Sequence, residues 1–75
     1  TIPDFVDDAN RIVGEIKDVA ELGWEQQIRA QYDWAKNNGY TLLLIIRRDT
    51  VLQGELKVLV DRGFIKVDYI ERILP

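Results

Sequence analysis

The sequence contains neither cysteine nor histidine among its 75 residues. Without cysteine there is no disulfide framework and no thiolate metal site. That absence fits a reducing compartment. Without histidine there is no Ser-His-Asp chemistry, no His-ligated zinc and no histidine general base. Any catalysis must rest on carboxylates, lysine, arginine, tyrosine or a hard metal ion held through oxygen. An excess of positive charge is missing as well. Thirteen acidic residues stand against 10 basic ones, a formal net charge of -3. This counts against a general nucleic-acid binder, whose surface is usually basic. The one local cluster of basic residues is a mild pair, Arg47-Arg48. No run approaches the roughly 20 apolar residues a membrane span needs. There is no internal repeat and no low-complexity segment.

The length suits one small domain with a thin core, expected to occupy residues 1–75 as a single unit. The chain begins at Thr1 rather than methionine, and we read it as a piece of something longer. Thr1 to Val6 reads as a short first strand, with Pro3 tolerated near a strand start. Asp7-Asp8-Ala9-Asn10 reads as a hairpin turn, and Arg11 to Asp18 as the second strand. Val19 to Gly23 is a connector. From Trp24 to Asn38 the period turns helical: Trp24, Ile28, Gln31 or Tyr32, and Ala35 recur on one face, and Trp34 with Ala30 widens that stripe. Asn38-Gly39 stops the helix. Tyr40 to Arg47 is a continuous apolar run, expected as a central parallel strand buried on both faces. Thr50 with Gln53 has the pattern of a capping box, opening a second helix to about Arg62 with Leu52, Leu56 and Leu59 or Val60 facing inward. Phe64 to Ile70 reads as a last, edge strand, and Ile73-Leu74-Pro75 as a tail. The order β-β-α-β-α-β predicts an α/β (α+β) fold, a mixed sheet with helices packed on it.

Chemistry concentrates in the hairpin. Alternate side chains of a strand share a face, so Glu15 and Lys17 lie together, with Gly14 and Ile16 turned the other way. If the turn is symmetric about Asp8 and Ala9, Asp4 sits opposite Val13, on the face of Glu15 and one diagonal step away, roughly 7–8 Å between Cα atoms. Two carboxylates so placed can hold one ion, because Mg–O bonds are only ~2.0–2.1 Å long. A slip of one residue would turn Asp4 away. Glu-x-Lys by itself is common, and taken alone it reads as an exposed ion pair worth about 0–1 kcal/mol.

Pro3-Asp4 followed by Glu15-Ile16-Lys17 resembles the PD-(D/E)xK nuclease superfamily, with its restriction-endonuclease-like fold. The run from Glu25 through Gln27, Arg29, Gln31 and Tyr32 to Lys36-Asn37-Asn38-Gly39 is similar to a narrower group. Those are nuclease toxin domains at the C-termini of bacterial polymorphic toxins. The resemblance implies a restriction-endonuclease-like core lacking its N-terminal helix, at the C-terminal end of a longer toxin polypeptide. It implies metal-dependent hydrolysis of phosphodiester bonds in competing bacterial cells, with DNA ahead of tRNA as substrate. Asp4 and Glu15 would hold Mg²⁺ or Mn²⁺, with the Ile16 backbone carbonyl as a third ligand. Lys17 would stabilise charge on the attacked phosphate, and Gln27 would steady the site. The implied partners are the nucleic acid, a cognate immunity protein and the rest of a delivery polypeptide. No membrane partner is implied. Such an effector is secreted or delivered by contact and acts in the target-cell cytoplasm.

Plainer readings stand beside these. Gln26, Gln27 and Gln31 also read as ordinary polar helix positions. Trp24, Tyr32 and Trp34 fit either core packing or stacking on bases. Arg29, Gln31 and Arg47 are candidate substrate contacts, and for the arginines, with Arg48, solvated surface is the alternative. Asp7 and Asp8 read as turn formers. The rival to hydrolysis is a catalytically inert nuclease-fold module used for protein binding or assembly. A third reading is a plain structural fragment.

Overall fold

β-branched and aliphatic residues cluster in three runs of the chain, and each becomes a strand of one sheet. The computed structural model describes residues 2–73. Its elements run β1 (Phe5–Asp7), β2 (Ile12–Lys17), β3 (Glu21–Leu22), α1 (Gln26–Asn37), β4 (Thr41–Ile46), β5 (Val51–Leu52), α2 (Gly54–Asp61), β6 (Ile65–Tyr69) and α3 (Ile70–Ile73). The main sheet has the order β1-β2-β4-β6. β1 is antiparallel to β2, while β2, β4 and β6 are mutually parallel. The apolar run forms the central parallel strand, and β6 lies at the edge, as their patterns predict.

Parity along the strands decides which residues make the core. Val13 pairs with Leu42, Glu15 with Leu44 and Lys17 with Ile46, so these six share a face. Val13, Leu42, Leu44, Ile46 and Ile65 form one buried cluster with Ile28 and Ala35 of α1 and Leu56 of α2. Both crossover helices therefore cover the same face of the sheet. At about 25 cal/mol per Å² of apolar area, this burial is the main stabilising term. Ile45 faces the other way and is 3% exposed. On that second face the Phe5 ring lies over Gly14, where a Cβ would come within 2.1 Å of ring carbons. The glycine makes room for the aromatic ring.

Several expectations need correction. The hairpin is centred between Ala9 and Asn10, not Asp8 and Ala9: Phe5 pairs with Gly14, Val6 with Val13 and Asp7 with Ile12. The Asp7 carboxylate accepts from the Asn10 amide at 3.1 Å and from Asn10 Nδ2 at 2.8 Å. Those bonds hold the Asp7 carboxyl below the usual carboxylate range. Arg11 closes the turn with a left-handed φ of 57°. Strand β1 is Phe5–Asp7, so Pro3 and Asp4 precede it, and Thr1 lies outside the described residues. Helix α1 starts at Gln26 rather than Trp24.

No capping box forms at Thr50 and Gln53. The Thr50 hydroxyl donates to the Val19 carbonyl at 2.7 Å, and Gln53 is the residue that precedes α2. Val51–Leu52 pairs in parallel with Glu21–Leu22 of the connector. Backbone bonds of 2.8 Å from Val51 to Ala20 and 2.9 Å from Gln53 to Leu22 hold the two together. The gain from a second small sheet outweighs the local helical signal. Ile70–Ile73, the last described turn, is helical, while Leu74 and Pro75 lie outside the described residues. Trp34 and Ala30 do not widen the core stripe, for both are exposed, Trp34 at 47%.

Candidate active site

Glu15 is the anomaly of the core. It belongs to the face that packs against α1, and it is 1% exposed. A buried carboxylate is costly unless its oxygens are matched. Here Oε2 accepts a long bond from Gln27 Nε2, at 3.4 Å. Oε1 has no partner among the described residues. Burial raises the Glu15 pKa, the neighbouring Asp4 charge raises it further, and Lys17 pulls the other way. The carboxylate is thus poised for a positive partner that the fold itself supplies only in part.

Lys17 and Gln27 complete the inner group. Lys17 Nζ donates to Gln27 Oε1 at 3.0 Å, so the Gln27 carboxamide bridges Lys17 and Glu15. The same ammonium forms a 3.0 Å ion pair with Glu25. Glu25 holds the position before α1 but makes no side-chain cap there, which frees its carboxylate for Lys17. Its part in the site was not legible in the sequence. Only the turn through Gly23 and Trp24 brings the start of α1 back over β2.

Asp4 arrives from the hairpin. The ladder with β2 ends at Phe5 and Gly14, and Asp4 lies in the bend just before it. The Asp4 charge is close enough to raise the Glu15 pKa. The Asp4 amide donates to the Gly14 carbonyl at 3.0 Å. Its carboxylate accepts the Ile16 amide proton at 2.7 Å. Backbone polar groups of alternate strand residues point to the same edge. The Ile16 carbonyl therefore lies on the edge that Asp4 occupies.

The remaining candidates divide. Gln31, one turn beyond Gln27, is 3% exposed, and its Nε2 has no partner among the described residues. Arg29 is exposed on α1. Arg47 is not brought into the group. It sits past the end of β4 and grips Asp49 with two bonds, 2.8 and 2.6 Å long.

Among the described residues, no three acidic side chains assemble into a metal-holding group. A cation here would rest on Asp4 and Glu15, with main-chain oxygen and water completing its shell. The unpartnered, buried Oε1 of Glu15 fits such an ion. So does the charge around it: Asp4 and Glu25 both raise the Glu15 pKa and only Lys17 lowers it by charge, a local excess of negative charge that a divalent ion would offset.

Residues 1–56 match the model of a family described as restriction endonuclease fold toxin 7. That span includes Asp4, Glu15, Lys17, Gln27 and Gln31 and ends inside α2. The mixed sheet with its packed helices agrees with a restriction-endonuclease-like fold. No curated protein and no solved structure matches the chain. No helix among the described residues is long and apolar enough to cross a membrane.

Proposed function

We propose that this chain, which belongs to the restriction endonuclease fold toxin 7 family, is a divalent-metal-dependent nuclease that hydrolyses phosphodiester bonds, with DNA preferred over tRNA. One observation carries the reading: a buried glutamate with an unpartnered oxygen, flanked by a second carboxylate and a lysine. A salt-bridge cluster built only for stability would not leave that oxygen unmatched, since the penalty is several times the worth of an exposed pair.

Asp4, Glu15 and the Ile16 carbonyl would hold Mg²⁺ or Mn²⁺. When bound, the ion supplies Lewis acidity toward a phosphoryl oxygen and lowers the pKa of a coordinated water. Asp4 is fixed by the Ile16 amide and Glu15 by burial, so the two carboxylates need little reorganisation. Lys17 would stabilise negative charge developing on the phosphorus oxygens. To do so it exchanges the half-exposed Glu25 for the substrate. Gln27 keeps Lys17 and Glu15 in register throughout. The family's description as restriction-endonuclease-like favours DNA. On this reading the domain is the toxic part of a longer delivered polypeptide and acts in the cytoplasm of a competing cell. A cognate immunity protein restrains it in the producer.

The test uses the domain with plasmid DNA and with total tRNA, in Mg²⁺ or in chelator. Cleavage is expected in Mg²⁺ only. Lys17→Ala should abolish it, a loss of at least about 10²-fold, with an unchanged circular dichroism spectrum. Cleavage in chelator would sink the metal, and cleavage by the folded Lys17→Ala protein would remove Lys17 from the mechanism.

A further inference from the structure

Pro3, Val6, Ala30, Gln31 and Trp34 line a cavity of about 310 Å³ between β1 and α1. This is the small end of the roughly 300–1,000 Å³ range of ligand sites. Both walls continue from the candidate active site. Pro3 adjoins Asp4. Gln31 lies one helical turn beyond Gln27, about 6 Å along the axis. Resting on the nuclease reading above, we propose that this cavity takes one unpaired nucleobase of the substrate, stacked on Trp34 with its edge against the Gln31 carboxamide.

Three features select that occupant. The first is Trp34. A tryptophan on an amphipathic helix normally buries its ring, yet this one is 47% exposed. Its ring is held against Tyr40, with centroids 5.2 Å apart, so it is oriented before any ligand arrives. The second is Gln31, whose side chain is buried in the cavity wall with Nε2 unpartnered among the described residues. An amide without a partner costs stability that leucine at the same position would not. A base edge carries hydrogen-bond acceptors that would satisfy it. The third is the absence of charge. None of the five lining side chains is ionisable, which suits the neutral, planar part of a nucleotide and not its phosphate. The phosphate is left for Lys17 and for a metal ion held by the carboxylates, next to the cavity. A base can enter only when it is out of its stack, either in a single strand or flipped from a duplex, so the substrate class is DNA with one nucleotide unstacked at the cut site.

The test measures binding of a fluorescent single-stranded DNA oligonucleotide in chelator, where no cleavage occurs. One abasic position is walked along the strand. At one position the abasic strand should bind the wild type more weakly, by roughly 5–150-fold, the range expected of base–aromatic stacking. Trp34→Ala should weaken the intact strand to that same level and leave the abasic strand unchanged. Gln31→Leu should flatten any ranking of the four bases at that position without lowering Tm. The cavity assignment is overturned if no abasic position matters, or if Trp34→Ala weakens both strands equally. A base ranking that survives Gln31→Leu would overturn the role of the carboxamide. The two proposals fail separately. Cleavage without the abasic effect rejects the base pocket alone. The abasic effect with no cleavage in Mg²⁺ rejects hydrolysis alone.

Discussion

The Asp4 carboxylate accepts the Ile16 amide proton across 2.7 Å. A residue that lies before β1 is thereby tied to the backbone of the strand that carries Glu15 and Lys17. Charge and tether can be separated by substitution. Asp4→Asn keeps an oxygen for the Ile16 amide but removes the negative charge. It should leave Tm nearly unchanged while removing Mg²⁺-dependent cleavage. Asp4→Ala should lose the tether too, at about 1 kcal/mol, a fall of roughly 4–8 °C in a domain this small. Thermal melts beside a cleavage assay check both. Equal activity of Asp4→Asn and wild type would mean that the Asp4 charge is idle.

Glu15 should make the metal-free protein sensitive to pH. Its pKa is raised, first by burial and then by Asp4, so the folded state binds a proton more tightly than the unfolded state. The sign follows from linkage. Its contribution to stability is fully present below the ordinary glutamate value near 4.5 and is lost as pH rises through the higher folded value. In chelator, Glu15→Gln should therefore melt above wild type at neutral pH, with the gap closing as pH falls toward 4.5. Saturating Mg²⁺ should raise the Tm of wild type and not that of Glu15→Gln. A variant that melts lower than wild type at neutral pH would show that the carboxylate is already satisfied.

Gln27 touches both Lys17 and Glu15, at 3.0 and 3.4 Å, so its removal should disturb their placement rather than the chemistry itself. Gln27→Ala is expected to lower kcat by about 10–100-fold, the usual cost of losing a group that orients a ligating side chain, with a smaller change in KM. It should also shift the metal concentration needed for half-maximal activity. A pure KM effect would instead make Gln27 a substrate contact.

Gly14 lies under the Phe5 ring. Gly14→Ala sets a methyl within 2.1 Å of the present ring carbons, so the ring must swing away. Phe5 follows Asp4 directly, and the displacement should carry the carboxylate with it. A stability loss of about 1–3 kcal/mol is expected from overpacking, together with a fall in cleavage measured well below the lowered Tm. Pairing Gly14→Ala with Phe5→Ala removes the clash, and the double variant should regain stability over Gly14→Ala alone. Strictly additive losses would mean that the ring exerts no pressure on Gly14.

Strand and helix periodicity in the sequence settled the succession of main elements and the placing of Glu15 and Lys17 on one face. Side-chain direction in a strand has a period of two, which sets Glu15 and Lys17 on one face whatever the turn does. A local pattern of this kind needs no knowledge of distant residues. Other features came from contacts between remote parts of the chain. Thr50 and Val51 look like a helix start, yet they join the connector at Val19 to Leu22, because backbone pairing there outweighs a cap. Trp34 looks like core by its spacing, yet it stays half-exposed and lines a cavity with Pro3 and Val6. Glu25 reaches Lys17 only because the chain folds back through Gly23. Arg47 is drawn to Asp49 instead of the site. The residues' order specifies which groups can share a face, while the packing of non-neighbouring elements decides which of them are left buried without a partner, and that is where the candidate chemistry of this protein lies.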